Sequence, residues 1–217
     1  MRRIIAATFV SLDGVMQAPG GPEEDPVGGF AFGGWTAPIF DEETGAALGA
    51  MFEKPFDLLL GRKTYDIFAA HWPHAGDDPI AVLFNKVTKY VATRSGRRLD
   101  WENSQSPGSD VVASLKDLKK ADGPDLLIQG SSDLIQTLLK HQLIDEFNLL
   151  IFPVVLGKGK RLFGDGTTPS AMKFKKSQSF PSGVIMASYE PDGAVKTGSF
   201  QLAEPSPEEI ERRKNLT

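Results

Sequence analysis

The chain has 217 residues, 41% of them hydrophobic and 24% charged, with a formal net charge of −4 and no cysteine. Such a length supports the core of one generous domain, and the composition is that of a soluble globular protein. The acidic balance argues against a general nucleic-acid binder, and the lack of cysteine excludes disulfides, thiol catalysis and cysteine zinc sites.

No stretch approaches the ~20 apolar residues of a membrane span. The apolar run behind Met1-Arg2-Arg3 is short and broken by Thr8, Ser11 and Asp13, so it does not read as a secretory leader. The expected compartment is the cytoplasm, with neither membrane nor nucleic acid as a partner.

Residues 3–10 are β-branched and apolar at nearly every position, the pattern of a central strand buried on both faces. Residues 11–35 form a long loop, rich in Gly and Pro and holding Glu23-Glu24-Asp25, of the length expected for a lid or binding loop. Asp41 is placed to cap a helix reaching about Phe52, with Glu42 and Glu43 in its first turn. A strand over 56–60 follows, then a helix over 64–70 with Tyr65 and Phe68 turned inward, a helix over 79–87 and a strand over 89–92. Residues 100–104 and 110–112 read as short extended pieces, and 114–121 as a helix.

A buried strand over 125–128 leads into a helix over 131–141, whose Leu134, Ile135, Leu138 and Leu139 make one apolar face. Strands are expected over 147–155, 172–180, 183–189 and 196–202, the last reached through the turn Pro191-Asp192-Gly193. Alternation of strand and helix followed by terminal strands predicts a three-layer α/β domain over residues 1–203, with a mixed, mostly parallel sheet and helices on both faces. Residues 204–217 read as a charged tail.

Three strand ends carry chemistry. Gln129-Gly130-Ser131-Ser132 stands between a strand and a helix, where a small-residue turn lets a ligand approach the backbone and the first N–H groups of the helix face it. Gly61-Arg62-Lys63-Thr64 repeats the arrangement with two cations, Arg offering a planar fork that suits phosphate. Thr93-Arg94-Ser95 ends a third strand with one cation and two hydroxyls. Each turn alone is also an ordinary crossover; together they point to one polyanionic ligand. His71, His74 and His141 lack metal-ligand spacing, so no metal is expected.

The order and spacing of further motifs joins these turns. They are Ser11-Leu12-Asp13-Gly14, Gly61-Arg62-Lys63-Thr64-Tyr65, Gly130-Ser131 with Leu134, Leu143-Ile144-Asp145-Glu146, and Pro153-Val154-Val155-Leu156-Gly157-Lys158-Gly159 leading to Leu162-Phe163. Over residues 3–202 the chain resembles the dihydrofolate reductase-like reductases, specifically those similar to the C-terminal reductase domain of the bifunctional riboflavin-biosynthesis deaminase-reductase. The resemblance implies a dihydrofolate reductase-like fold, NADP(H) as cofactor, a small heterocyclic substrate and a homodimer. Three features depart from that pattern. Gln129 stands where the riboflavin-pathway reductases have Glu, Gln129-Gly130 replaces the Gly-Gly pair of dihydrofolate reductases, and no zinc deaminase motif is present.

On this resemblance Gly61, Arg62, Lys63, Thr64, Gly130, Ser131, Ser132 and Leu134 bind the cofactor, the first four and Gly130 at its pyrophosphate. Thr93, Arg94 and Ser95 meet the adenosine 2′-phosphate; the triplet has no acid for a free ribose hydroxyl, so NADP is expected over NAD. Asp13 would lie beside the nicotinamide, where a carboxyl with a raised pKa can relay a proton. Gln129, Phe32 and Trp35 belong to the substrate side, the aromatics either stacking on a flat ring or pinning the loop. The expected reaction is hydride transfer to a C=N or C=O bond of a pterin- or pyrimidine-like heterocycle, as in the phosphoribosylaminouracil reductase of riboflavin biosynthesis. The alternatives are a dihydrofolate reductase proper, which carries a substrate-binding acid on an early helix, and an NADP(H)-binding module without turnover. Between Arg3 and Lys54 there is no Lys or Arg, so the long loop reads as an acidic lid that would repel a phosphorylated substrate.

Overall fold

The computed structural model describes residues 1–94 and 96–216. Its strands and helices run in the order β1 (Ile4–Ser11), α1 (Glu42–Ala50), β2 (Phe56–Gly61), α2 (Arg62–His71), α3 (Pro79–Lys86), β3 (Lys89–Ala92) and β4 (Ser104–Gln105). After these come α4 (Val111–Lys120), β5 (Asp125–Gln129), α5 (Ser132–Lys140), β6 (Glu146–Phe152), β7 (Met172–Ser179), β8 (Ile185–Pro191) and α6 (Pro207–Lys214). The strands form one eight-stranded sheet, β4-β3-β2-β5-β1-β6-β8-β7. Its pairs are parallel from β4 to β6, and β8 and β7 are added antiparallel. This is the dihydrofolate reductase-like α/β architecture. Among the described residues no helix is long and apolar enough to cross a membrane.

The strands at the centre are apolar on successive residues because both faces of the sheet are covered. In β2, Leu58 and Leu60 face the cluster holding Tyr65 and Phe84, while Leu59 faces the one holding Leu115, Ile135 and Leu138. β5 divides the same way, with Leu127 on the first side and Leu126 and Ile128 on the second. All three β2 leucines are fully buried, and burial of such a side chain contributes ~1.5–3 kcal/mol. A third cluster, with Val15, Phe30, Trp35, Phe152 and Phe180, sits beneath the long loop.

Charge closes the N-terminal end of the strands. Arg2 is 4% exposed; its guanidinium pairs with the Asp57 carboxylate, its Nε donates to Pro124 O at 2.6 Å, and it lies over the Tyr90 ring. The Arg3 amide donates to Asp125 (2.8 Å) and the Ile4 amide to Asp145 (2.7 Å), which also pairs with Lys119 at 2.6 Å.

Residues 12–36 contain no strand or α-helix, yet side chains fix their path. Buried Gln17 donates from Nε2 to Asp25 O (2.8 Å) and Val27 O (2.9 Å) and accepts the Lys160 amide at Oε1 (3.0 Å). Trp35 Nε1 donates back to Gln17 O at 2.8 Å.

Three expected extended pieces differ. Residues 111 and 112 open α4, because Asp110 caps that helix by accepting from the Ala113 amide. Of residues 100–104 only Ser104 is in a strand; side chains hold Trp101, whose amide donates to Tyr65 Oη (2.9 Å) and whose Nε1 donates to Asn85 Oδ1 (2.7 Å). Residues 196–202 form no strand, and Phe200 and Leu202 are exposed. The edge they would have to extend is β7, which carries Lys173, Lys175 and Lys176 and a bulge between Phe174 and Lys176. Edge lysines and bulges discourage a further strand.

Candidate active site

A cleft of about 1830 Å³ opens at the C-terminal ends of β1, β2, β3 and β5, where α2 and α5 begin. In a sheet of this kind that edge is where ligands bind.

The helix starts set its chemistry. Asp41, Asp78, Asp110 and Ser206 cap α1, α3, α4 and α6 with their side chains. α2 and α5 have no side-chain cap; their N-cap residues are Gly61 and Ser131. Uncapped first turns leave N–H groups and the positive end of the helix dipole for an anion.

The two starts are pinned to each other. Ser131 donates its amide to Thr64 Oγ1 (3.0 Å), and its hydroxyl accepts the Gly61 amide (2.9 Å). Thr64 therefore keeps its own hydroxyl proton to donate. Gly130 (φ +63°) and Ser131 (φ 61°, ψ 47°) are both left-handed, and a Cβ on Gly130 would come within 3.3 Å of the Thr64 side chain. Glycine is needed there for both conformation and space.

A strand edge completes the floor. β1 pairs with β5 only through Ala7, but with β6 as far as Ser11. Beyond Ala7 its β5-side edge has no strand partner, and Thr8 and Phe9 line the cleft there. Open edges of this kind offer backbone donors and acceptors.

Of the predicted residues, Gly61, Arg62, Lys63, Thr64, Thr93, Arg94, Gln129, Gly130, Ser131, Ser132 and Leu134 all line this one cleft. Ser95 lies outside the described residues. Arg62 pairs with Asp66 at 2.8 Å and donates to Arg97 O at 3.1 Å, while Arg94 at the end of β3 is exposed.

The long loop is less acidic toward the cleft than its sequence implies. Asp25, 8% exposed, receives Lys160 at 2.5 Å and Lys63 at 3.5 Å. Burial alone would raise its carboxyl, yet Lys160 and Lys63 hold it below the ordinary value. The Lys160 ammonium in turn lowers Lys63. Glu24 accepts the Gly20 (2.7 Å) and Gly21 (3.2 Å) amides, and burial pushes its carboxyl up. Both lysines come from outside the loop, so counting charges along residues 11–35 misses the neutralisation of Asp25, while Glu23 stays exposed on the cleft.

Asp13, Phe32 and Trp35 do not line the cleft. Asp13 accepts Ser11 Oγ (2.6 Å), the Leu156 amide (3.1 Å) and the Gly157 amide (2.8 Å). The Ser11 hydroxyl and these amides lower its pKa to about 2, opposite to the rise a proton relay requires. It is an ionised staple between the first strand's exit and residues 156–157. Trp35 is buried edge-on against Phe152 (5.5 Å between centroids), and Phe32 is half-exposed beside Phe30.

The aromatic wall is built elsewhere, from Phe9, Phe40, Phe52, Phe68, Trp72 and Phe84. Phe68 stacks on Phe84 at 5.9 Å and Trp72 meets the same ring edge-on at 5.3 Å. The signal available in the sequence was helical spacing on α2 and α3, which reads equally well as core. Asp41, Glu42 and Glu43 stay outside the cleft, Asp41 being spent on the Thr44 amide (2.7 Å) and the Ser182 amide (3.0 Å).

Comparison with known proteins agrees with this fold. The Bacillus subtilis (strain 168) protein YyaP is 31% identical over 198 residues, covering 88% of this chain and 96% of its own. A Shewanella sp. PV-4 protein provisionally assigned to riboflavin biosynthesis superposes with a TM-score of 0.65 at 20% identity, covering 88% of this chain and 99% of its own. Enterococcus faecalis dihydrofolate reductase, complexed with NADP(H) and RAB-propyl, superposes with a TM-score of 0.55 at 13% identity, covering 88% and 96%. At such identities the two structural likenesses speak for the fold. Sequence settles the family: the model of the RibD C-terminal domain matches residues 2–186, and the chain belongs to that family.

Proposed function

We propose that the chain is an NADPH-dependent reductase that passes hydride to a C=N or C=O bond of a small pterin- or pyrimidine-like heterocycle. The observation that carries this reading is the pair of uncapped helix starts, α2 and α5, pinned together inside a cleft that also has an aromatic wall. One region suits a pyrophosphate and the other a flat ring. Membership of the RibD C-terminal domain family and the likeness to a dihydrofolate reductase complexed with NADP(H) support it.

On this reading each group of the cleft has a role. First-turn amides of α2 and α5, with the Thr64 hydroxyl, bind the pyrophosphate, and Lys63 and Lys160 neutralise it. Arg94 and Thr93 take the 2′-phosphate that separates NADPH from NADH. The open edge of β1 beyond Ala7 orients the carboxamide of the nicotinamide through backbone hydrogen bonds. NADPH supplies the hydride when bound. The aromatic wall holds the acceptor ring against it and excludes water, so that donor and acceptor carbons meet in a fixed geometry. Glu24, whose pKa burial raises, is the cleft carboxyl best suited to hold a proton for the reduced product. Asp13 keeps the β1 exit and residues 156–157 in place. A dihydrofolate reductase proper is disfavoured, because α1 brings no carboxylate into the cleft.

Steady-state loss of NADPH absorbance across a panel of pteridines and aminopyrimidine-diones tests the reading. Turnover of at least one acceptor, abolished in Gly130→Val, is expected. Tight NADPH binding with no turnover of any acceptor would make the chain a binding module instead.

A further inference from the structure

Most of the charged groups of the cleft already have partners. Of the six carboxylates that line it, four are engaged: Glu24 with the Gly20 and Gly21 amides, Asp25 with Lys160 and Lys63, Asp66 with Arg62, and Asp110 with the Ala113 amide. Three buried atoms are not. Among the described residues, Thr8 Oγ1, Trp72 Nε1 and Gln129 Nε2 are buried polar atoms without a hydrogen-bond partner, and all three residues line the cleft. Thr8 is 3% exposed. It follows Ala7, whose register partner is Gln129, so two of the orphans stand on neighbouring strands where β5 ends and β1 runs on alone.

An unpaired buried polar atom is costly, and folded proteins carry few of them. Three gathered at one cleft share a property. The Trp and Gln nitrogens only donate, and the Thr hydroxyl can donate.

We propose that Thr8, Gln129 and Trp72 select the ligand of the cleft by its carbonyl oxygens. The inference rests on the cleft being the substrate site of the proposed reductase, and it narrows the acceptor to an oxo-substituted ring. A ring bearing amino groups sets N–H against N–H at Gln129 and Trp72; a ring bearing carbonyls brings a lone pair to all three donors. Each residue lines the cleft, and selection requires its polar atom to turn toward the seated ligand. In the free protein these atoms are shut off from water, so a carbonyl becomes their first partner rather than replacing a solvent one. Discrimination is then greater than at a solvated donor.

A matched pair of probes, a dioxopteridine and the corresponding diaminopteridine, is titrated calorimetrically into the full chain with no nicotinamide nucleotide present. The dioxo compound should bind at least ~10-fold more tightly, and Thr8→Val should weaken it ~10-fold. That near-isosteric change also removes an unpaired hydroxyl, so the melting temperature of the free protein should rise. Trp72→Phe, on a different element, should show the same loss and stands in if Thr8→Val does not fold. Equal affinities, preference for the diamine, binding of neither, or a lower melting temperature in Thr8→Val overturns the proposal. Discrimination without NADPH oxidation would support it while counting against the reductase reading.

Discussion

The two ends of the β2–β5–β1 core follow opposite rules. At the N-terminal end Arg2, Asp57, Asp125, Asp145 and Lys119 all find partners, Arg2 and Asp57 in burial. At the C-terminal end two helices start uncapped, a strand edge stays open and, among the described residues, two buried polar atoms, Thr8 Oγ1 and Gln129 Nε2, have no partner. The same strands supply both ends, so the contrast is not one of local propensity. One end is finished as structure and the other is left for a ligand to finish. Incomplete satisfaction at one place in an otherwise consistent fold is a physical marker of function.

The largest effect expected from breaking this contrast is at the closed end. Asp57→Ala leaves the Arg2 charge buried and unpaired, which should cost ~3–5 kcal/mol in urea unfolding while ligand affinity in the folded protein is unchanged. A loss below ~1 kcal/mol would mean that the pair does not hold that end. At the open end, Gly130→Val should cost less stability, ~1–2 kcal/mol for a side chain in the left-handed region. It should nonetheless remove the NADPH-induced rise in melting temperature. A folded variant that keeps the wild-type rise would put the phosphates elsewhere.

Arg94→Ala sharpens the comparison within the cleft. It should weaken NADPH binding by ~1.5–3 kcal/mol, about 10- to 100-fold, and leave NADH unchanged. Equal losses for both nucleotides would assign Arg94 to some other contact.

Asp13→Asn should have the smallest effect, ~1 kcal/mol from weakened bonds to the Leu156 and Gly157 amides. Its pH dependence carries a definite sign. The carboxyl is lowered from 3.8 to about 2 in the folded protein, so the unfolded chain binds the proton more readily. The stability it contributes is full above the ordinary pKa and disappears as pH falls through about 2. Acid unfolding of wild type should therefore be steeper there than that of Asp13→Asn. Superimposable acid limbs would contradict the staple.

What the sequence made legible was local. An apolar run followed by a small-residue turn and a helix is visible within about a dozen residues, so the ends of β2 and β5 and their anion-binding turns could be read directly. Asp13 could not be read this way. An Asp-Gly pair after a strand looks the same whether it faces a ligand or receives amides returning 143 and 144 residues later. Nor could Asp25, whose neutralising lysine is 135 residues away. The aromatic wall draws single residues from β1, α2 and α3 and from the segments beside α1, and no window along the chain brings them together. Trp35 and Phe32 were conspicuous as aromatics in a Gly-rich loop, which is also how a loop anchor looks. Residues 196–202 had strand-like composition, but strand formation depends on an edge willing to pair, and β7 is not one.

Equilibrium titration of the wild-type chain with NADPH and with NADH, followed by intrinsic tryptophan fluorescence, tests the central claim most directly. Trp72 lines the cleft, so occupancy should be reported from within it. Saturable quenching by NADPH, at least ~10-fold tighter than by NADH and lost in Gly130→Val, is the predicted result. No binding of either nucleotide, or equal affinity for both, would contradict it.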